Sequence, residues 1–421
     1  MPDFHVAVVD AFGTSHRYVD AFAAAGGAVI HVPSTPELLP GVAPVDPARF
    51  SRTLRHEPRL DVLAGELAAL RPRAVLPGRE SGVELADALS ERLGLPSNGT
   101  ELSAARRDKY LQIECVRAAG VPAMRQLRTD DEAELRAWHA ELGRAVVVKP
   151  PRGALGHGVT FCDTPEDSAA ALAALRGTTS ALGEPVTDVV AQEYLVGAEY
   201  VVNTVSRDGV HTVTDVWSTD RITANGVRDL VVAQVLLRYH DVAVGELTGH
   251  AFQVLDALGI RHGPAHLEIK LTPDGPRLVE AGARPSGLPY LVADAIGEGQ
   301  LERAVDAYVR PERFHARAAT PYRRRAAVAW AAMVAPASGR LVAYRALEEV
   351  RRLESVRAVT VLVRPGARIV ATTWDLQYPV VLSLRHPVEA VLRRDLNTLR
   401  YLDGAGMYEI DTYGSSGPPV Q

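Results

Sequence analysis

The sequence predicts an α/β (α+β) protein of several domains, and three observations carry that prediction. With 421 residues, the chain is too long for one ordinary core, so roughly two to four folding units are expected. Through the first hundred residues short apolar stretches alternate with amphipathic ones, which is the pattern of a small parallel sheet covered by helices. Beyond them, strand–turn–strand segments mix with further helices. Hydrophobic residues make up 47% and charged residues 23%, the balance of a soluble globular chain.

In order, strands are expected over residues 5–11, 28–33 and 73–78, and helices over 15–25, 51–70 and 80–95. Loops after the strands' carboxyl ends are where such sheets take ligands, here 12–15 and 78–82. The first holds only Gly13 and is no dinucleotide fingerprint. In the second, Glu80 and Ser81 open a helix; they either hold substrate amines or carboxylates, or Glu80 simply favours the helix N-terminus. Next come a helix over 103–119 bearing Asp108 and Lys109, a strand over 123–128, a helix over 131–142, and the strand AVVVKPP with Lys149 near its end. RGALGHGV follows, and Gly153, Gly156 and Gly158 let its backbone approach an anion closely. It joins two strands, unlike a Walker or Rossmann loop. After a helix over 165–176, VVAQEYLVGAEYVV reads as strand, hinge, strand. There Gln192, Glu193, the backbone near Leu195, and Glu199 offer donors and acceptors for a purine and a ribose. Taken alone, it also reads as an acid-decorated hairpin.

Strands over 210–217 and 229–238, a helix over 242–258, the hairpin 266–287 and a helix over 298–309 complete this part. Residues 310–325 read as a basic linker without periodicity. A third unit, 326–411, is expected as strand 328–335, helix 343–352, strands through 384 and helix 387–402, with no chemical constellation. The tail 412–421 is expected to be disordered. The expected division is thus 1–103, 104–310 with a lid at about 123–195, and 326–411.

The net charge of −5 argues against nucleic-acid or anionic-membrane partners. Cys115 and Cys162 form no metal or disulfide spacing. The opening MPDFHVAVVD lacks a basic leader, and the longest apolar run, AAVAWAAMVAPA, is too short to span a bilayer. A cytoplasmic location is expected. Of 46 basic residues only three, Lys109, Lys149 and Lys270, are lysine. In a chain so biased to arginine, a retained lysine either marks a place where a compact ammonium outperforms a planar fork or survives by chance.

HLEIKLTPDGPRLVEAGARPSG, from His266, carries the densest chemistry. A three-residue loop, Pro273 to Gly275, sets Glu268 opposite Glu280. Facing carboxylates repel unless a cation lies between them. Arg284 falls on the same face if the strand continues. Two acids, a divalent metal and an arginine make a floor for phosphoryl transfer; a solvated acidic hairpin is the alternative.

The order Lys109, Lys149, glycine loop, hinge, Glu268, Glu280, Arg284 resembles the ATP-grasp superfamily, from about Asp108 to Gly287. GPAHLEIKLTPDGPRLVEAGARPSG is most similar to the L-amino acid ligases, or dipeptide synthases. The resemblance implies an ATP-grasp fold between a Rossmann-like N-terminal α/β domain and an extra C-terminal α+β domain. It implies that Lys109 and Lys149 hold the α- and β-phosphates, that Gly153 to Gly158 is the lid loop, and that Gln192, Glu193 and Leu195 border the adenine. Glu199 would bind the ribose, Glu268 and Glu280 magnesium (with manganese a possible substitute), and Arg284 the transferred phosphoryl group. Many members carry an asparagine two residues after the second glutamate, where this chain has Gly282. Ser286, Gly287 and Leu288 would lie by the amino-acid pocket. His266 would be a substrate contact or a structural histidine, and Lys270 a catalytic group or a salt bridge. The implied activity is ATP-dependent amide formation between two amino acids through an acyl phosphate, in a homodimer by family expectation. A ligase for side-chain or non-amino-acid carboxylates and an inactive nucleotide-binding scaffold are the alternatives.

Overall fold

The computed structural model describes residues 2–38, 44–153, 156–404 and 406–412; most of the tail expected to be disordered lies outside them. Four parallel strands, in the order Arg52–Thr53, Gly27–Val32, Phe4–Val9 and Pro72–Pro77, form the first sheet. The helix expected over 51–70 is shorter. Ser51 and Leu54 donate their N–H groups to Val29 and His31 at 2.9 Å each, extending the sheet, and the helix runs only over Leu60–Ala69. Pro58 explains the start, because the residue before a proline is pushed out of the helical region.

A second, four-stranded antiparallel sheet is ordered Gln126–Thr129, Val189–Glu193, Val146–Lys149 and Thr160–Cys162. Its core, including Leu135, Val148, Leu172 and Val189, is formed with helices Glu132–Leu142 and Pro165–Leu175. The helix expected over 103–119 is broken before Lys109. Asp108 accepts from the N–H groups of Tyr110 and Leu111 and caps helix Lys109–Ala118, which places Lys109 in its first turn.

The largest sheet has eight antiparallel strands: Gly275–Gly282, Gly263–Thr272, Ala198–Arg207, Val210–Ala224, Val227–Leu236, Ala327–Ala332, Val380–His386 and Val356–Val361. It therefore joins strands from both sides of the segment expected to separate two units. That segment is no featureless linker: it contains helix Pro311–Arg317, whose Phe314 is fully buried. Phe314 joins Leu301 and Tyr308 of helix Gln300–Val309 in a cluster with Phe4, Val6 and Val8 of the parallel sheet. A further helix, Pro289–Ile296, went unpredicted. In the C-terminal unit, the helix expected over 343–352 is instead strand Gly339–Tyr344 followed by helix Leu347–Arg351, because the strand pairs with Tyr408–Asp411.

The hairpin reaches the expected pairing by a different route. The turn is two residues, Pro273 and Asp274, with Gly275 (φ +94°) already opposite Thr272. A bulge between Glu268 and Ile269 then shifts the register, and the shift restores Glu268 opposite Glu280. One extra residue re-aims the strand, as bulges near active sites commonly do.

Candidate active site

The hairpin floor, the capped helix and the second, four-stranded sheet converge. Lys109 Nζ donates to Glu280 Oε1 and to the carbonyl of Gly153, both at 2.9 Å. The Lys109 N–H donates to Pro151 O at 2.9 Å, which ties the helix start to the entry of the glycine loop. Lys149 is buried, and burial pushes its ammonium down to about 8; Lys109 adds to the shift, while Glu280, Glu268 and Glu199 oppose it. Gly156 and Gly158 take φ of +73° and +74°, conformations that glycine adopts without strain.

Glu268 lies a third open on the floor, its Oε1 3.6 Å from His266 Nε2. Burial works against its charge, yet His266, Arg221 and Arg284 hold its carboxyl down at about 2. His266 Nδ1 donates to Asn203 Oδ1 at 2.9 Å, a direction set by the Asn203 amide, which itself donates to Asp215 at 2.5 Å. His266 is thus braced from behind while it faces Glu268. Among the described residues, no group of three or more His, Cys, Asp or Glu forms a ready-made metal cage. Two carboxylates on a floor nevertheless fit magnesium, which normally completes its shell with phosphate oxygens and water.

In the four-stranded sheet, the Gln192 side chain is buried and donates to Gln126 Oε1 at 2.9 Å, while Glu193 reaches Arg125 Nε at 3.4 Å. The carbonyl of Leu195 accepts from Lys270 Nζ at 3.2 Å. Lys270 also pairs with Asp229 at 3.0 Å, the salt bridge among its two expected roles. Glu199 is buried and bonded to Arg221; burial raises its pKa, and Arg221 and Lys270 oppose the shift.

At the other end, Arg284 Nε donates to Glu80 Oε2 at 3.2 Å. A Cβ on Gly282 would come within 3.0 Å of that same oxygen and 3.3 Å of Arg284. Glu80 and Arg284 therefore fill the space where an asparagine side chain at 282 would begin. Ser81 Oγ donates to Asp10 at 2.6 Å. Ser286 is buried and its Oγ accepts from the Leu288 N–H at 3.2 Å, whereas Gly287 borders open space. Leu288 packs on the central core.

Sequence reasoning passed over several residues of this region. Tyr194, inside the hinge, hydrogen-bonds Asp229 at 3.0 Å and lies 4.6 Å below Lys270 Nζ. Arg221 and Asp229 come from the long strand pair and carry no local motif. From the C-terminal unit, Trp374 meets His157 of the glycine loop at 4.9 Å between ring centres. Burial pushes the neighbouring Asp375 up to about 6, in the field of Arg221, Glu268 and Glu199. The sequence showed no chemical constellation in the C-terminal unit; the fold brings these two residues of it beside the glycine loop and the acidic floor. An aromatic–acid pair in a loop was the one available signal.

Residues 142–288 match the ATP-grasp domain family. The chain is 31% identical to dapdiamide A synthase of Enterobacter agglomerans, over 94% of this chain and 95% of that one. Its fold superposes on an L-amino acid ligase from Bacillus licheniformis with a TM-score of 0.74 at 19% identity, covering 98% and 100% of the two chains. The biotin carboxylase domain of Hydrogenobacter thermophilus 2-oxoglutarate carboxylase, solved with the magnesium salt of ADP and bicarbonate, superposes at 0.61 with 15% identity, covering 97% and 90%. Convergent lysines, a glycine loop and a two-carboxylate hairpin agree with that kinship: the chain belongs to the ATP-grasp carboxylate–amine ligases.

Proposed function

We propose that this ligase binds ATP between the lid sheet and the eight-stranded sheet and uses it to join the carboxylate of one amino acid to the amine of another. The observation that carries this reading is the convergence of Lys109, Lys149, Glu268, Glu280 and Arg284 around one hairpin. Lys109, Lys149 and the Gly153–Gly158 loop hold the phosphates, Gln192 to Leu195 border the adenine, and Glu199 takes the ribose. Glu268 and Glu280 hold magnesium, which when bound neutralises charge on the phosphates. The division into 1–103, 104–310 with a lid near 123–195, and 326–411 is proposed with it, the last unit continuing the central sheet.

Phosphoryl transfer asks mainly for positioning and charge neutralisation. An oxygen of the substrate carboxylate attacks the γ-phosphorus, the bond to the β–γ bridging oxygen breaks, and ADP leaves. Arg284, oriented by Glu80, stabilises charge on the transferred group. The amine nitrogen then attacks the acyl carbon, phosphate departs with the carbon–oxygen electron pair, and the amine proton passes to phosphate or water. Closure of the glycine loop, with His157 resting on Trp374, excludes water from the acyl phosphate.

Glu280→Ala and Lys149→Ala should abolish ADP release over an array of paired L-amino acids. Arg284→Lys, which exchanges a fork for a point charge, should lower kcat by about 100-fold or more. Near-normal turnover in the first two would sink the assignment.

A further inference from the structure

Arg79 follows strand Pro72–Pro77 and immediately precedes the short turn Glu80–Gly82. The loop that carries it is pressed onto the end of strand Phe4–Val9. A Cβ on Gly78 would lie 2.5 Å from Asp10 O, and one on Gly82 would lie 2.9 Å from Val9 O. With so little play in the backbone, the direction of the Arg79 side chain is well defined. Its Nη1 lies 2.7 Å from the point a Cβ would occupy on Gly13, which has φ of +55°. Any larger residue at position 13 would displace the guanidinium.

Arg79 is half-buried; burial and the charge of Arg284 both lower its pKa, and Asp10 opposes them. The Asp10 carboxylate is already engaged by the Ser34 N–H at 2.8 Å, Ser34 Oγ at 2.5 Å and Ser81 Oγ at 2.6 Å. Glu80 is taken by Arg284. Among the described residues, no hydrogen bond or ion pair ends on the Arg79 guanidinium. Of the two half-buried guanidinium groups and two acids here, Arg284 and Glu80 pair with each other and Asp10 is engaged by hydroxyl and N–H donors, which leaves the Arg79 guanidinium with no carboxylate among the described residues bonded to it where the N-terminal sheet meets the hairpin. Five N–H donors in a planar fork match a carboxylate bidentately.

We propose that Arg79 is a specificity residue that binds a substrate carboxylate taking no part in the reaction. The proposal rests on the ligase reading above. That carboxylate is either the α-carboxylate of the amino acid whose amine attacks, or a second carboxylate on the acid being activated. Either way, this ligase takes at least one substrate with a free carboxylate that survives into the product.

The test uses the full chain, loaded with magnesium and a non-hydrolysable ATP analogue, as wild type, Arg79→Met and Arg79→Lys. Each is titrated calorimetrically with an array of free L-amino acids and their α-amides, and with succinate and its monoamide. In one of the two comparisons the wild type should favour the form with the extra carboxylate by about 10- to 100-fold. That comparison identifies the source of the carboxylate. Arg79→Met should erase the preference, and Arg79→Lys should keep part of it. Melting temperature and affinity for the analogue should be unchanged in both variants. Equal binding of acid and amide forms by the wild type, or an intact preference in Arg79→Met, would overturn the proposal. So would a parallel loss of analogue affinity, which would reassign Arg79 to the nucleotide. Phosphate release by the wild type is scored separately. A preference without turnover upholds the Arg79 site and sinks the ligase reading; turnover without a preference sinks Arg79 alone.

Discussion

Lys149 shows how a single buried residue can oppose stability. A lysine held at about 8, against 10.5 when unfolded, strains the native state by about 3 kcal/mol at neutral pH. The native pKa is the lower one, so the destabilisation is fully present below pH 8. It is relieved as pH rises from 8 towards 10.5, where the unfolded chain still binds the proton. Lys149→Met should therefore raise the stability of the nucleotide-free protein at pH 7 by about 1–3 kcal/mol. The advantage should shrink by pH 10, as read from thermal unfolding at both pH values, and ATP affinity should fall to background. An unchanged melting temperature at pH 7 would show that the neighbouring carboxylates already offset the burial. All three lysines are buried, in a chain whose other basic residues are all arginine. Arg221, Asp229 and Tyr194 escaped notice because each gains its role from a neighbour distant in sequence, as Arg221 does from Glu199 and Tyr194 from Asp229.

At the scale of elements, the hairpin and the hinge beside it set the floor and wall of the cleft. The pairing of Glu268 with Glu280 was legible from turn residues and alternation. The bulge that produces it was not, because inserting one residue leaves the composition of both strands unaltered. Gly197, in the hinge, lies against the hairpin so closely that a Cβ there would meet the Leu271 carbonyl oxygen at 2.3 Å. Neither partner can yield without breaking backbone pairing. Gly197→Ala should therefore cost about 1–3 kcal/mol and weaken ATP binding at the same time, measured by thermal unfolding and by titration with the nucleotide. A variant with wild-type values for both would mean that the hinge accommodates a side chain by moving as a unit.

Across the whole molecule, the eight-stranded sheet binds the central and C-terminal units together. Ala233 and Val235, from a central strand, share a buried cluster with Ala329, Leu382 and Leu396 of the C-terminal unit. Cutting the chain after residue 325 would strip strand Val227–Leu236 of its partner Ala327–Ala332 and bare both an apolar face and an open edge. Residues 1–325 should consequently aggregate or unfold when expressed alone, as judged by size-exclusion chromatography and circular dichroism. A monodisperse, cooperatively folded fragment would show that the sheet tolerates the cut. The same continuity carries Trp374 and Asp375 to the glycine loop and the acidic floor.

Local patterns were enough to determine the α/β start of the chain, the glycine loop, the paired acids and the placement of lysines among arginines. Each depends on neighbours in sequence, on strand alternation, or on residue types with few substitutes. Tertiary structure alone decided what occupies the space at Gly282, which residues brace Glu268 and Glu199, and that the C-terminal unit extends the central sheet. Those outcomes depend on backbones meeting across the fold, as when Glu80, from the turn after strand Pro72–Pro77, reaches Arg284 at the foot of the hairpin. No periodicity along the chain records such a meeting.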